Sequence, residues 1–289
     1  MKLIKDFKNQ IPKNNNNVII LVSVIRNEYL LLDYFLKYYD KLGVTHFIFI
    51  DNNSNDNTTE YLLNSNYNIM LFHTKDSYKE NNYGMTWIKI ILDKYCKNKW
   101  VVGVAADELI YVNKLSTLIN TMEKERANVC KFYMLDMYPK DSNIKYKYGD
   151  SFLNHSYYYD KESEINKDYY DGMRYRTMNV IANLKKYSFF KYNFYTTTTF
   201  TPDYHEIRYK NNKYYNPLYI TIATKTMFLL HFKFLRPNLR KYFLERAKRN
   251  EDWNNSFHYI AYSKAKNYNF YDPKYSLSIK KYKPKFSYI

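Results

Sequence analysis

Residues Val18 to Ile25 read VIILVSVI, a run in which Ser23 is the only polar side chain. A strand so uniformly apolar and β-branched has to bury both faces, and that happens in a parallel sheet covered by helices on each side. The stretch after it has the matching pattern. Glu28 to Leu42 places Leu31, Phe35, Tyr38 and Leu42 at helical spacing and stops at Gly43, which suits a left-handed cap. A strand is expected at His46 to Ile50, a polar turn over Asp51 to Asp56, and a short helix from Thr58. Further strands are expected at Asn68 to His73, Trp100 to Ala105 and Val129 to Met137, with helices at Asn82 to Tyr95 and Lys114 to Arg126 between them. This alternation predicts an α/β fold with a mostly parallel central sheet, flanking helices and right-handed crossovers.

After Pro139 the pattern loses its regularity. Tyr- and Lys-rich stretches enclose short β-like pieces at Tyr219 to Thr224 and Met227 to Phe234, and helices are expected at Asn238 to Lys248 and Asn254 to Lys266. The organisation read from this is an N-terminal extension (1–17), a Rossmann-like half (18–138), a second half of the same domain that completes the site (139–266), and a basic aromatic tail (267–289). With 46% hydrophobic and 25% charged residues the chain is neither disordered nor collagen-like. Its 2 cysteines, Cys96 and Cys130, exclude a disulfide framework and a cysteine zinc site. No signal-like stretch and no run of about 20 apolar residues is present. The expectation is a cytoplasmic, soluble chain, with peripheral contact to an anionic membrane left open. A net charge of +17 admits nucleic acid, an anionic membrane or phosphate-bearing ligands as partners. Because the basic residues are spread along the chain and no recognition motif occurs, nucleic acid is not the expected partner.

In open α/β sheets ligands bind at the carboxyl ends of the strands. Three such ends are polar here: Arg26-Asn27-Glu28, Asp51 to Asp56, and Asp107-Glu108. Asp107 and Glu108 leave the strand VVGVAADE and either suit a hard divalent cation or cap the following turn. Asp51 is read as an acceptor for a ribose or base donor, and Asp56 as an Asx-turn residue. Arg26 could meet phosphate, while Asn27 and Glu28 either face a nucleoside or start a helix. His231, within LLHFKF, is either a satisfied core imidazole or a ligand that would suit manganese beside a carboxylate. With only 5 glycines and no Gly-rich phosphate loop, any phosphates must be handled by metal and side chains.

Together these segments resemble the bacterial glycosyltransferase family 2 branch with a GT-A fold. The resemblance lies in SVIRNE (Ser23 to Glu28), LGVTHFIFIDNNSNDNT (Leu42 to Thr58) and WVVGVAADELIYV (Trp100 to Val112). It continues in LDMYP (Leu135 to Pro139), YYYD (Tyr157 to Asp160), DGMRYR (Asp171 to Arg176) and LLHFKFL (Leu229 to Leu235), so that it spans Val18 to Lys266.

The resemblance implies inverting transfer of a sugar from a nucleoside-diphosphate donor to a hydroxyl acceptor, assisted by Mg²⁺ or Mn²⁺. The acceptor class would be a glycan or lipid-linked glycan of capsule or lipopolysaccharide synthesis. Asp107 would hold the metal, with His231 as a further ligand. Arg26, Asn27, Glu28 and Asp51 would surround the donor nucleoside, and Arg174 and Lys233 would neutralise phosphate or an acidic acceptor. The acceptor proton would go to Asp160, Asp136 or Asp171, each of which reads equally as a structural aspartate. The chain departs from the family's D-x-D pattern at the earlier position, which is Ala105. Loss of that carboxylate implies a weakly active or inactive transferase, or a non-catalytic sugar-nucleotide-binding relative.

Overall fold

A computed structural model describes residues 1–12, 18–143, 145–160, 164–166, 169–170, 172–193, 198–209 and 220–281. Its centre is a nine-stranded mixed sheet. In chain order the strands are β1 (Lys2–Lys5), β2 (Ile19–Ile25), β3 (His46–Asp51), β4 (Ile69–His73), β5 (Trp100–Gly103), β6 (Glu108–Ile110), β7 (Val129–Asp136), β8 (Lys185–Lys191) and β9 (Met227–His231). Across the sheet they run β1-β4-β3-β2-β5-β8-β7-β9-β6. The block β4-β3-β2-β5 is parallel, as the apolar runs predict.

Apart from the parallel pair β7–β9, the rest of the sheet departs from the mostly parallel expectation. β8 lies antiparallel between β5 and β7, β6 pairs antiparallel with β9, and β1 pairs antiparallel with β4. Two of these strands were not legible as strands. β8 (KKYSFFK) hides behind its charged residues, although Lys186 and Phe189 are wholly buried. The second residue of the acidic pair, Glu108, opens the three-residue β6, and the preceding strand ends at Gly103 instead of Ala105. Residues 2–5, assigned by sequence to an extension, are the sheet's edge strand. Tyr219 lies outside the described residues, and the remainder of that β-like piece supplies a single bridge, Ile222 to Val129.

Both faces of the sheet are covered by helices. Ile19, Leu21, Phe47 and Phe49 pack with helix α1 (Tyr29–Leu42), α2 (Thr58–Asn64) and α4 (Leu115–Lys124). The alternate residues Ile20, Val22, Ile48 and Ile50 pack with α3 (Met85–Tyr95) on the opposite side. The period-2 alternation of a strand thus builds two cores from one sequence run. Helix α1 ends at Gly43 (φ 107°), whose N–H reaches the Asp40 carbonyl at 2.9 Å. A third core, around Tyr138, Phe234, Phe243 and Tyr262, joins the short helix α5 (Met173–Met178) to the hairpin α6 (Leu239–Arg249) and α7 (Trp253–Ser263). Among the described residues no helix is long and apolar enough to cross a membrane.

Candidate active site

A cavity of about 480 Å³ opens at the carboxyl ends of β2, β5 and β9. Strand register explains what lies on its floor. In the parallel pair β7–β9, Asp136 stands beside His231; in the antiparallel pair β9–β6, His231 stands beside Glu108. Register partners project to the same face, so three ionisable side chains distant in sequence become neighbours. Asp107 joins them through the loop before β6, its carbonyl accepting the Phe232 N–H at 2.7 Å.

The imidazole of His231 is the pivot. Its Nδ1–H donates to Asp136 Oδ1 at 2.6 Å, because a carboxylate can only accept, and Nε2 then faces Asp107 Oδ2 at 3.6 Å. Burial disfavours the imidazolium, yet Asp107 and Asp136 raise the His231 pKa above its ordinary value. Burial also works against the Asp107 carboxylate, but His231, followed by Lys233 and Arg236, holds it well below the usual carboxylate range. Asp136 is likewise held low against its own burial, chiefly by Arg174, which grips it with Nε at 2.6 Å and Nη2 at 2.8 Å.

Asp107, Glu108 and His231 offer ligand atoms within 4.8 Å of one another. Their availability differs. Glu108 Oε1 is bonded to the fully buried Lys186, and Oε2 accepts the Ala105 N–H at 3.0 Å. Glu108 is therefore a support for the Ala105 turn. Asp107 Oδ2 and His231 Nε2 are the atoms left to hold a cation, and a carboxylate oxygen beside an imidazole nitrogen would suit Mn²⁺ better than Mg²⁺, which takes oxygen ligands. The second nitrogen of His231, bonded to Asp136, gives the carboxylate–histidine arrangement that orients metal-ligating imidazoles.

The structure brings Arg26, Glu28, Ala105, Asp107, Arg174, His231 and Lys233 to the cavity wall. Glu28 is bonded to Arg236 and Lys233 Nζ donates to the Tyr259 hydroxyl at 3.1 Å. Asp51 and Asn27 have other work. Asp51 is wholly buried, with Oδ1 accepting from the Ser54 N–H and hydroxyl at 3.0 and 2.6 Å and Oδ2 from the Thr59 hydroxyl at 2.5 Å. It organises the loop that puts its neighbour Asn52 on the wall. Asn27 is tied to the same loop by its exchange with Asn55 at 2.7 and 2.8 Å.

The structure places two of the three expected general bases, Asp136 and Asp160, off the cavity wall. Asp136 is consumed by Arg174 and His231 and lies behind the wall. Asp160 is also off the wall: Arg176 takes both of its oxygens at 2.8 Å, and the Tyr138 hydroxyl donates to Oδ1 as well. Asp171 lies outside the described residues, as do 282–289 of the basic tail. Arg174, expected on phosphate, is neutralised by Asp136 and serves to fix the Asp136–His231 pair.

Sequence reasoning missed Lys186, Asp203, Arg246 and Arg249. Lys186 reads as one more lysine in a basic chain, and Arg246 and Arg249 read as the solvated face of LERAKR. Asp203 sits in a turn with no motif, between Pro202 and Tyr204, where both Asp203 and Tyr204 adopt φ 60°. The turn is clamped from several sides: the Tyr204 ring is buried against Gly103, Lys186 Nζ holds Asp203 Oδ2 at 2.7 Å, and a His205 ring nitrogen bonds the Lys185 carbonyl at 2.7 Å.

No protein-family model and no curated protein sequence matches the chain. Among solved structures it is similar to HddC from Yersinia pseudotuberculosis, at 8% identity over 61% of this chain and 74% of that one, with a TM-score of 0.33. It is also similar to residues 1–349 of TarS from S. aureus, at 11% identity over 87% of this chain and 67% of that one, with a TM-score of 0.40. What this cavity can do chemically follows from its own residues.

Proposed function

We propose that the chain transfers a sugar from a nucleoside-diphosphate sugar to a hydroxyl acceptor, with inversion and with a divalent cation held by Asp107 and His231. The observation that carries this reading is the His231 imidazole, oriented by Asp136 at 2.6 Å and facing Asp107 at 3.6 Å on the floor of a cavity at the strand ends. When bound, Mg²⁺ or Mn²⁺ would supply charge to the departing diphosphate. Lys233, two residues beyond His231, adds a protein cation beside the same oxygens. Arg26, Glu28 and Asn52 border the part of the cavity available to the nucleoside.

The acceptor hydroxyl needs a base. Among the described carboxylates on the wall, Asp203 meets that need. Its side chain is 49% exposed, and the ion pair with Lys186 uses Oδ2. Oδ1 makes no hydrogen bond to a described residue and can take the proton as the acceptor oxygen attacks the anomeric carbon.

Ala105 lines the cavity where the family pattern has a carboxylate, and it favours a second reading, a sugar-nucleotide-binding relative with little or no turnover. One experiment separates the two. UDP-, GDP-, CMP- and dTDP-sugars with Mn²⁺ are screened by thermal shift, and turnover is measured for the natural chain and for Ala105→Asp. A transferase binds one donor with metal and gains turnover in A105D; binding without turnover in either favours the relative. Absence of stabilisation by any donor would remove both.

A further inference from the structure

Six arginines on and around the cavity fall into two groups. Arg174, Arg176, Arg236 and Arg246 are each hydrogen-bonded to a carboxylate, of Asp136, Asp160, Glu28 and Asp252 respectively. Arg26 and Arg249 are not. Both line the cavity, with side chains 28% and 24% exposed, and neither donates a hydrogen bond to any described residue. Their charge contacts are loose: Arg26 Nη1 is 3.9 Å from Glu251, and Arg249 Nη2 is 3.8 Å from Asp252. The Nε of each is shut off from solvent without a partner. A guanidinium carries five N–H donors in a planar fork, and leaving them unmet in a partly desolvated wall is costly.

Arg246 brings a third guanidinium to the same wall, fixed by Asp252 and stacked over the Tyr242 and Tyr259 rings at 5.9 and 4.5 Å. Burial, then repulsion from Arg246 and Arg26, disfavours the charge on Arg249. Like charges crowded in this way, with donors unspent, favour the approach of a further anion.

We infer that Arg26 and Arg249, backed by Arg246, form a subsite for a phosphate-class oxyanion that binds without metal. Three guanidiniums converge there from the end of β2 and from the last turns of α6, and a phosphate offers several acceptor oxygens to two forks at once. The subsite is built from residues other than the Asp107–His231 pair. Two sources share this chemistry: the diphosphate of a nucleotide donor, or a phosphate carried by the acceptor. Only the choice between them rests on the transferase reading.

The test is titration of the full chain with inorganic phosphate and pyrophosphate in metal-free buffer. Binding is expected for the natural protein, weakened about tenfold or more in Arg26→Gln and in Arg249→Gln, as for loss of a charge-assisted bond. Lys248→Gln removes the same charge from the exposed side of α6 and should leave affinity unchanged. The Arg249 side chain donates no hydrogen bond to a described residue, and Arg249→Lys, which keeps the charge but loses the fork, gives a second variant with an intermediate loss should the glutamine variant misfold. The inference is overturned if neither anion binds, if both arginine variants bind as the natural chain does, or if K248Q weakens binding as much as R249Q. Repeating the titration with saturating UDP or GDP plus Mn²⁺ identifies the source: exclusion of phosphate assigns the anion to the donor, and simultaneous binding assigns it to the acceptor. Phosphate binding with no uptake of either nucleotide would count against the transferase reading and leave the subsite standing.

Discussion

Replacing Lys186 with methionine should cost the fold more than any other single charge removal near the cavity. Lys186 is 0% exposed, and its ammonium bridges Glu108 and Asp203. Burial works against that charge, but Asp203 and Glu108 raise the lysine pKa above its ordinary value, so the ammonium stays protonated. Methionine fills nearly the same volume and removes only the charge. What remains is the Glu108 carboxylate, 2% exposed, with the Ala105 N–H as its surviving partner. Breaking a buried ion pair from one side costs about 3–5 kcal/mol. Asp203, half exposed, adds no more than about 1 kcal/mol because water screens it. In a urea titration the midpoint should fall by about 1 M or more, given slopes of a few kcal/mol per molar. The double variant Lys186→Met/Glu108→Gln keeps an acceptor for the Ala105 N–H and removes the orphaned charge, so it should recover most of the loss. The reasoning is refuted if K186M unfolds within about 1 kcal/mol of the natural protein, or if the double variant is no more stable than K186M.

Three further outcomes follow from the same geometry. His231→Ala should abolish Mn²⁺ binding in a calorimetric titration, and Asp136→Asn should weaken it about 10- to 100-fold by freeing the imidazole; unchanged affinity in both would exclude the Asp107–His231 site. Gly103→Ala puts a Cβ 2.4 Å from Cζ of the buried Tyr204 ring, an overpacking worth about 1–3 kcal/mol, so Tm should drop by several degrees; Gly103→Ala with Tyr204→Leu should regain part of it. Finally, burial and nearby cations push two histidines down to about 4: Lys186 acts on His205, and Arg174 and Lys233 act on His258. A depressed histidine binds fewer protons folded than unfolded, so its contribution is neutral above about pH 6.5 and stability is lost as pH falls from there towards 4, by at most about 3 kcal/mol per residue. The fall in urea midpoint between pH 6.5 and 4.5 should shrink in His205→Gln/His258→Gln, and an identical fall would show that other groups govern it.

The parallel half of the sheet was legible because VIILVSVI and HFIFID can only be buried on both faces, and the strand-end rule then led to Arg26, Glu28 and Asp107. The antiparallel half was hidden. β8 carries three lysines in seven residues, and nothing in KKYSFFK announces that Lys186 points into the protein while Lys185 and Lys191 lie at the strand ends. Its burial is legible only once Glu108 and Asp203 are known to meet it, and their meeting depends on pairing between β8 and β7 that sequence spacing does not encode. The same is true of Asp136. As an acidic residue at the end of an apolar strand it is indistinguishable from Asp107; the register that sets it against His231 and the helix that delivers Arg174 turn one into a support and leave the other facing the cavity.

The charge of +17 takes on a different meaning at this point. On the cavity wall, Glu28, Glu108 and Asp252 each face a bonded cation, and Arg174 and Arg246 are neutralised in turn. A wall so internally paired offers a ligand fixed dipoles more than a net field. The cations that remain without a hydrogen-bonded carboxylate among the described residues of that wall are Arg26, Arg249 and Lys233. The total charge of the chain therefore predicts neither where an anion binds nor how tightly. Affinity for phosphate should respond to substitution at Arg26 and Arg249 while remaining indifferent to removal of exposed lysines such as Lys241 and Lys248, although both kinds of change lower the net charge equally.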